Sequence, residues 1–334
     1  MDYQIAVIHA FQVSCPGLGG LMQAAAFLGQ PEFYLLVIPL ILWCYDRSLG
    51  LRLLIFLSVS GAISDSLKIL FHAPRPYWIS PEVTAYTGMV SFGMPSGHAQ
   101  NSVVLFGAIA ATVRKWWIWF ACIILILMIG MARVYQAVHF PLDIIAGWGI
   151  GVLLLAGLLY LEKPILQRVH GRSFLVQILL AFGLSLLFIG ITGAAHQVIG
   201  SWQVPAEWSL QALARTGVPI DPLALKDTFV TAGLIFGGLS GALVSVRRFP
   251  FSTGSSPGRM AARYIVGIAI LFVIWGALAV AAAWPGTGGC LMSYLRAVLA
   301  GFWITAGAPA LFIRTGLARL TYQDEAIAPV TRMS

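Results

Sequence analysis

Nine apolar runs separated by short polar breaks constrain this chain more than any other feature. They fall at about 31–45, 50–72, 97–113, 116–134, 140–161, 174–198, 228–246, 264–283 and 289–313. A helix needs about 20 predominantly apolar residues to cross a bilayer. Most of these runs reach that length; the first is short, and Arg296 interrupts the last. Of the 334 residues, 59% are hydrophobic and 10% charged, against roughly 25% charged in an ordinary soluble domain. The mean hydropathy is +0.87. A water-soluble domain of this length has no means of hiding so much apolar surface. The pattern predicts an all-α polytopic membrane protein with about nine transmembrane helices and no soluble domain.

The N-terminal apolar stretch, Ile5 to Leu28, reads differently. Cys15-Pro16-Gly17 and Gly19-Gly20 split it into pieces too short to cross. Residues 1–30 therefore read as an interfacial segment of one or two helices. The opening Met-Asp-Tyr-Gln lacks the basic start of a signal peptide. "FPFSTGSSPGR" (Phe249 to Arg259) has the composition of a flexible loop. The four cysteines show no CxxC pair and no metal-ligand spacing, which argues against a structural zinc or redox motif. Cys15 and Cys290 share a predicted face where pairing is open, but isolated small apolar residues are the preferred reading.

A net charge of +8 is explained by topology, without nucleic acid. With loops assigned alternately to two sides, one side collects 14 of the 20 Lys and Arg: Arg47, Arg52, Arg114, Lys115, Lys163, Arg168, Arg172, Arg247, Arg248, Arg259, Arg263, Arg314, Arg319 and Arg332. The other side holds Lys68, Arg75, Arg133, Arg215, Lys226 and Arg296. Cytoplasmic loops collect basic residues, so the N-terminus is expected outside and the C-terminus inside. Trp116, Trp117 and Trp119 beside Arg114-Lys115 read as an inner interfacial belt.

The predicted outer side carries the chemistry. One loop reads "DSLKILFHAPRPYW" (Asp65 to Trp78), a second "PSGHAQNS" (Pro95 to Ser102), and a third "ARVYQAVHFPLDIIAG" (Ala132 to Gly147). A phosphomonoester dianion needs cations, and Lys68, Arg75 and Arg133 supply three, two of them able to bind phosphate bidentately. Ser96 is placed to cap a helix whose free amides favour an anion, and Gly97 lets the backbone approach closely. His139 and Asp143 are four apart, so a helix starting near Pro141 puts them on one side of its first turn. An aspartate on one ring nitrogen leaves the other free to attack. The unperturbed histidine pKa, near 6.5, suits His98 to protonate a departing alkoxide. No carboxylate cluster suits Mg²⁺, and no cofactor or metal is expected. Asp65, inside a span three residues before Lys68, reads first as that lysine's ion-pair partner. His72 reads as a loop histidine, and His9, His170 and His196 as structural or solvated. Glu82, Glu207, Asp221 and Asp227 are expected in outer loops. Arg296 either faces the bundle or snorkels outward.

These residues, Lys68-x6-Arg75-Pro76, Pro95-Ser96-Gly97-His98 and Arg133-x5-His139-x3-Asp143, resemble the three-part signature of the type 2 phosphatidate phosphatase and vanadium haloperoxidase superfamily. The resemblance implies that Lys68, Arg75 and Arg133 bind phosphate with help from Ser96 and Gly97. It further implies that His98 is the general acid, His139 the nucleophile that becomes phosphohistidine, and Asp143 its orienting partner. One departure is Ala132, where the family usually has serine just before the arginine. The nine-span layout and the fragments "RPYW" and "PAEW" are similar to the glucose-6-phosphatase branch. On this reading residues 31–161 are a five-span catalytic core and 162–334 a four-span extension.

The expected function is a metal-independent membrane phosphatase acting on a phosphate monoester or pyrophosphate, most readily of a lipid diffusing laterally to the site. A soluble ester such as a hexose phosphate is the alternative. A transporter or lipid-binding protein whose cations merely hold an anion is the reading from another class. The expected partners are the phosphate-ester substrate and membrane lipids, and the expected location is a bacterial inner membrane with the site facing the periplasm or exterior.

Overall fold

The computed structural model describes residues 1–320; Arg332, counted above among the inner cations, lies outside them. Among the described residues the regular structure is helical, with one isolated bridge between Phe251 and Leu320. Seven helical stretches are long and apolar enough to cross a membrane: Arg47–Ile79, Trp116–Tyr135, Pro141–His170, Phe174–Ile199, Lys226–Arg248, Pro257–Ala277 and Gly286–Arg314. Two of the nine expected runs fall short of that standard. The run at 31–45 forms α3 (Pro31–Cys44), a helix of 14 residues. That at 97–113 forms a helix of 17 residues (Gly97–Val113) whose first turns are the polar His98, Gln100, Asn101 and Ser102. The N-terminal segment forms α1 (Asp2–Ser14) and α2 (Gly19–Phe27), joined by a short 3₁₀ turn and bent by 83°. The break lies at Cys15-Pro16, where proline cannot continue the helix. Counting this bent pair as one span raises the total to eight.

The remaining helices are numbered as follows: α4 (Arg47–Phe71), α5 (Pro76–Ile79), α6 (Gly97–Val113), α7 (Trp116–Tyr135), α8 (Pro141–His170), α9 (Phe174–Ile199), α10 (Ala206–Thr216), α11 (Lys226–Arg248), α12 (Pro257–Ala277), α13 (Ala279–Ala282), α14 (Gly286–Phe302) and α15 (Ala308–Arg314). The chain divides into two compact units. The first comprises Met1–Tyr34, Ser60–Tyr160 and Gly190–Leu225; the second comprises Leu35–Val59, Leu161–Ile189 and the chain from Lys226 on.

In the first unit, α1 and α2 pack against α7 and the loops around it. Ile5 and Ile8 join a buried cluster with Tyr77, Trp78, Phe92 and Val138. Met22, Ala25 and Ala26 pack on Ala132 and Tyr135. Ala132 is the position where the resembled family usually has serine. Here its methyl is buried against α2, where an unpaired hydroxyl would carry a desolvation cost. Gln12 pins the segment down: its Nε2 donates to Thr84 O (2.8 Å) and Tyr135 O (2.6 Å), and its Oε1 accepts from Thr84 N (3.0 Å). Helices α6 and α8 meet at glycine: a Cβ at Gly147 would lie 2.6 Å from Ser96 O, and one at Gly151 2.8 Å from Gln100 O. Gln100 ties α6 to α4, donating to Ser60 O (2.7 Å) and Ser60 Oγ (2.9 Å). The polar run after His98 thus holds helices together. Trp202 and Trp208 stack into Trp78 and Phe92, while Arg215 Nη1 donates to Tyr77 O (3.0 Å) and Ser80 O.

In the second unit, α11 packs on α14 through Gly233, Gly237 and Gly241, spaced four apart on one face. A Cβ at Gly237 would strike the backbone of Val298, and one at Gly241 the Thr305 hydroxyl. Small residues at this spacing let two helix backbones approach inside a membrane. Arg296 faces an aromatic: its Cζ lies 4.0 Å from the Trp275 ring centroid, a cation–π contact. Arg263 is buried and donates to the carbonyls of Trp43, Thr253 and Leu317. None of the four cysteines forms a disulfide. Trp116, Trp117 and Trp119 are exposed, as an interfacial belt requires.

Candidate active site

The three motif-bearing loops converge within the first unit. Helix α8 begins at Pro141, its missing N–H costing nothing at that position. Asp143 sits in the first turn and its Oδ2 accepts from Phe140 N at 2.9 Å, closing the helix start. The same oxygen stands 3.4 Å from His139 Nδ1. That separation is an ion-pair distance, and among the described residues Nδ1 makes no hydrogen bond of good geometry. The Asp143 carbonyl accepts from Ser96 N at 3.0 Å, so the second and third loops are joined through backbone. Ser96 caps α6 as its sequence suggests, its Oγ accepting from Ala99 N at 3.4 Å. Gly93 is squeezed between these elements: a Cβ there would lie 2.8 Å from Pro74 O and 3.2 Å from Asp143 Oδ2.

Arg75 is fully buried and all its N–H groups are engaged. Its Nε donates to Ser91 O (2.7 Å), Nη1 to Val138 O (2.8 Å), and Nη2 to Phe92 O (2.9 Å) and Ser91 Oγ (3.2 Å). Nη1 also lies 3.2 Å from His139 Nε2. With Nδ1–H turned toward Asp143, that contact is an N–H of Arg75 donating to the Nε2 lone pair. Lys68 Nζ donates to the same Ser91 Oγ at 3.1 Å. Two cations therefore converge on one hydroxyl oxygen, and a phosphoryl oxygen there would accept from the same donors. Gly97 lies against this point, since a Cβ on it would come 3.8 Å from Lys68 Nζ.

Arg133, at the end of α7, is 1% exposed and far less satisfied. Its Nη1 donates to Gln136 Oε1 (2.7 Å) and its Nη2 to the Met89 sulfur (3.3 Å), and its Nε has no partner among the described residues. A buried guanidinium with idle donors is primed for an anion. His98 packs its ring on Gly29 of the N-terminal segment, where a Cβ would lie 2.8 Å from His98 Cδ2. Its Nε2 is buried without a hydrogen-bond partner among the described residues. His139, in the loop before α8, is held well below the ordinary histidine pKa of 6.5, first by burial and then by Arg75, Arg133 and Lys68. A neutral imidazole at neutral pH follows.

Every residue picked from the sequence for phosphate chemistry is thus in one unit. Six of them (Lys68, Arg75, Ser96, Gly97, His139 and Asp143) are linked by the contacts just described, while Arg133 meets Gln136 and Met89 and His98 packs on Gly29. His72 is not among the site's contacts: it adopts a positive φ of 34° and stacks on Trp202 at 4.8 Å. Residues the sequence did not single out also shape the site. Ser91 bridges Lys68 and Arg75, Gln136 holds Arg133, and Gln4 caps α8 through Leu142 N at 3.1 Å. Ser91 lies five residues before Ser96 in a polar loop, which is the one local hint; nothing local marks Gln4. Among the described residues no group of three or more His, Cys, Asp or Glu is arranged to hold a metal ion.

Comparison with known proteins gives the family. The profile of the PAP2 superfamily matches residues 49–165, and that of the PAP2 superfamily phosphatase transmembrane extension matches residues 229–320. An undecaprenyl-diphosphatase of Sulfolobus acidocaldarius is 30% identical over 137 residues, covering 40% of this chain and 66% of that protein. Phosphatidylglycerophosphatase B of Bacillus subtilis is 26% identical over 152 residues, covering 42% of this chain and 72% of its own length. Glucose-6-phosphatase 3 of Rattus norvegicus is 23% identical over 230 residues, covering 61% of this chain and 65% of its own. The chain thus spans about two thirds of the length of these relatives. No solved structure matches it significantly. The two profile matches, with the converging loops between Lys68 and Asp143, establish that the chain belongs to the PAP2 superfamily, in its membrane branch.

Proposed function

We propose that this protein is a metal-independent phosphoric monoester hydrolase that removes a terminal phosphate from a lipid, through a phosphohistidine on His139. The observation that carries the reading is the Nε2 of His139, which points at the guanidinium of Arg75, while Lys68 and Arg75 share one oxygen. A phosphoryl group held by Lys68, Arg75 and Arg133, with the Ser96-Gly97 turn against it, presents phosphorus to that nitrogen. Nε2 attacks, the P–O bond breaks, and His98 protonates the leaving alkoxide. Water then cleaves the N–P bond with His98 taking its proton, and Asp143 holds the imidazole ring. The cations supply the charge stabilisation that a metal supplies elsewhere.

A lipid substrate is favoured because the undecaprenyl-diphosphatase and phosphatidylglycerophosphatase relatives are named for lipid phosphates. A soluble ester is the second reading, on the strength of the glucose-6-phosphatase relative, whose similarity extends over 61% of this chain. The site is proposed to face the outside of a bacterial inner membrane, from the distribution of basic residues.

The test is phosphate release by purified protein in EDTA, with His139→Ala as control, from phosphatidate, phosphatidylglycerophosphate, an isoprenyl pyrophosphate and glucose 6-phosphate. Release that needs added metal, or survives in His139→Ala, refutes the mechanism. Cysteines placed near Glu82 and Glu207 should label from outside intact cells while one near Gly254 stays protected; the reverse pattern moves the site to the cytoplasm.

A further inference from the structure

A cavity of about 290 Å³ lies within the first unit. Gln23 and Tyr86 form its exposed rim, Tyr135 and Gln136 its buried floor, and Gln30 and Thr87 line the sides. Two of these residues connect it to the chemistry. The side-chain oxygen of Gln136 holds Arg133 Nη1 at 2.7 Å, which leaves the Gln136 Nε2 donors for an occupant. Gln30 follows Gly29, whose backbone packs on the His98 ring. One lining residue is thus bonded to a proposed phosphate-binding cation, and another is next in sequence to the glycine on which the proposed general acid packs.

Its chemistry is selective. Three carboxamides and three hydroxyls, from Tyr86, Thr87 and Tyr135 (the last already donating to the Cys15 carbonyl), offer both donors and acceptors, and no charged side chain is among the lining residues. The Tyr86 and Tyr135 rings stack 5.3 Å apart at 24° and give one flat wall. A second phosphate would find no cation here, and a bare hydrocarbon would leave the carboxamides without partners. A group bearing several neutral hydroxyls satisfies them. The volume lies at the small end of ligand pockets, which suits a glycerol-sized or monosaccharide-sized group. One wall comes from Gln23 and Gln30, outside the residues matched by the superfamily profile.

We infer that this cavity is a specificity subsite for a hydroxylated leaving group, a polyol or sugar esterified to the phosphate. The inference rests on the proposed phosphatase reading and narrows its substrate class. The hydroxylated group can belong to a lipid headgroup or to a free sugar phosphate, and the subsite chemistry is the same.

The test uses the full-length protein with Gln23→Ala, Gln30→Ala and the double variant. Two substrate pairs are compared: phosphatidylglycerophosphate with hexadecyl phosphate, and glucose 6-phosphate with hexyl phosphate. In the preferred pair, kcat/KM for the hydroxylated member should fall about tenfold in the double variant, with less than about twofold change for its hydroxyl-free partner. The pair that responds identifies the source, lipid or soluble. Equal losses on both members indicate a structural role and overturn the subsite, as does no loss on either. The same four probes are titrated for Kd on His139→Ala, with and without the two glutamine substitutions. If the wild type releases phosphate from none of them, the phosphatase reading fails, while the Kd comparison still decides the subsite by the same criterion.

Discussion

Arg75 Nη1 lies 3.2 Å from Nε2 of His139, on the ring edge opposite the one that faces Asp143. The ring is thus held between a carboxylate and a guanidinium. Its lone pair is directed at a cation that would bind the group under attack. In the proposed mechanism, geometry of this kind would make attack effectively unimolecular once phosphate is bound.

The two histidines should separate by leaving group. His139→Ala is expected to abolish turnover of every ester and to leave no acid-labile phosphate on the protein. His98→Ala should lose far more activity on an alkyl phosphate than on an aryl ester with an acidic phenol, because only the alkoxide needs a proton as it departs. Measurement of kcat/KM for both esters checks this; equal losses on the two would remove His98 from the leaving-group role.

The pH profile should carry the mark of the three cations. His139 is depressed below 6.5 by burial and by Arg75, Arg133 and Lys68, so its reactive neutral form persists as pH falls through 6.5 and is lost only at lower pH. Removing a cation makes the imidazolium less unfavourable and raises this pKa. In Lys68→Met, the imidazole resonance of His139 in ligand-free protein should titrate at higher pH than in the wild type. An unchanged or lower midpoint would show that the cation does not act on the ring.

Ser91 offers a graded test of the phosphate site. Because its Oγ accepts from both Lys68 and Arg75, Ser91→Ala frees two donors without removing either charge. Lys68→Met, Arg75→Gln or Arg133→Gln should each cost roughly 10²-fold or more in kcat, as loss of a transition-state donor does. Ser91→Ala should cost much less and change binding of inorganic phosphate more than kcat. A loss in Ser91→Ala equal to that in Lys68→Met would mean that the hydroxyl itself is required.

The glycine face of α11 should be intolerant. A Cβ at Gly237 meets the Val298 backbone, which cannot rotate away, whereas Gly276 has open space around its Cα. Gly237→Val should lower Tm in detergent, by overpacking worth about 1–3 kcal/mol, and Gly276→Ala should leave it nearly unchanged. Similar Tm values for the two variants would exclude the close α11–α14 approach.

Sequence alone determined the helical membrane class, because apolar runs of about 20 residues leave a chain few other ways to satisfy its backbone in lipid. It also singled out the residues proposed to handle phosphate, since Lys68, Arg75, His98, Arg133, His139 and Asp143 carry rare charges and rings in an apolar chain. It could not decide what lies between them. Ser91 is an ordinary serine until Lys68 and Arg75 both turn toward it, and Gln136 is an ordinary glutamine until Arg133 needs an acceptor. Nor could it decide the part played by the first 30 residues. Their broken apolar pattern reads as helices at an interface, yet Gln4, Gln12 and Gly29 are held by long-range contacts with Leu142, Thr84 and His98. Periodicity and composition report a residue's preference for lipid, water or helix. Which distant backbone group a single carboxamide meets depends on how loops more than 70 residues apart are brought together, and only the tertiary structure fixes that.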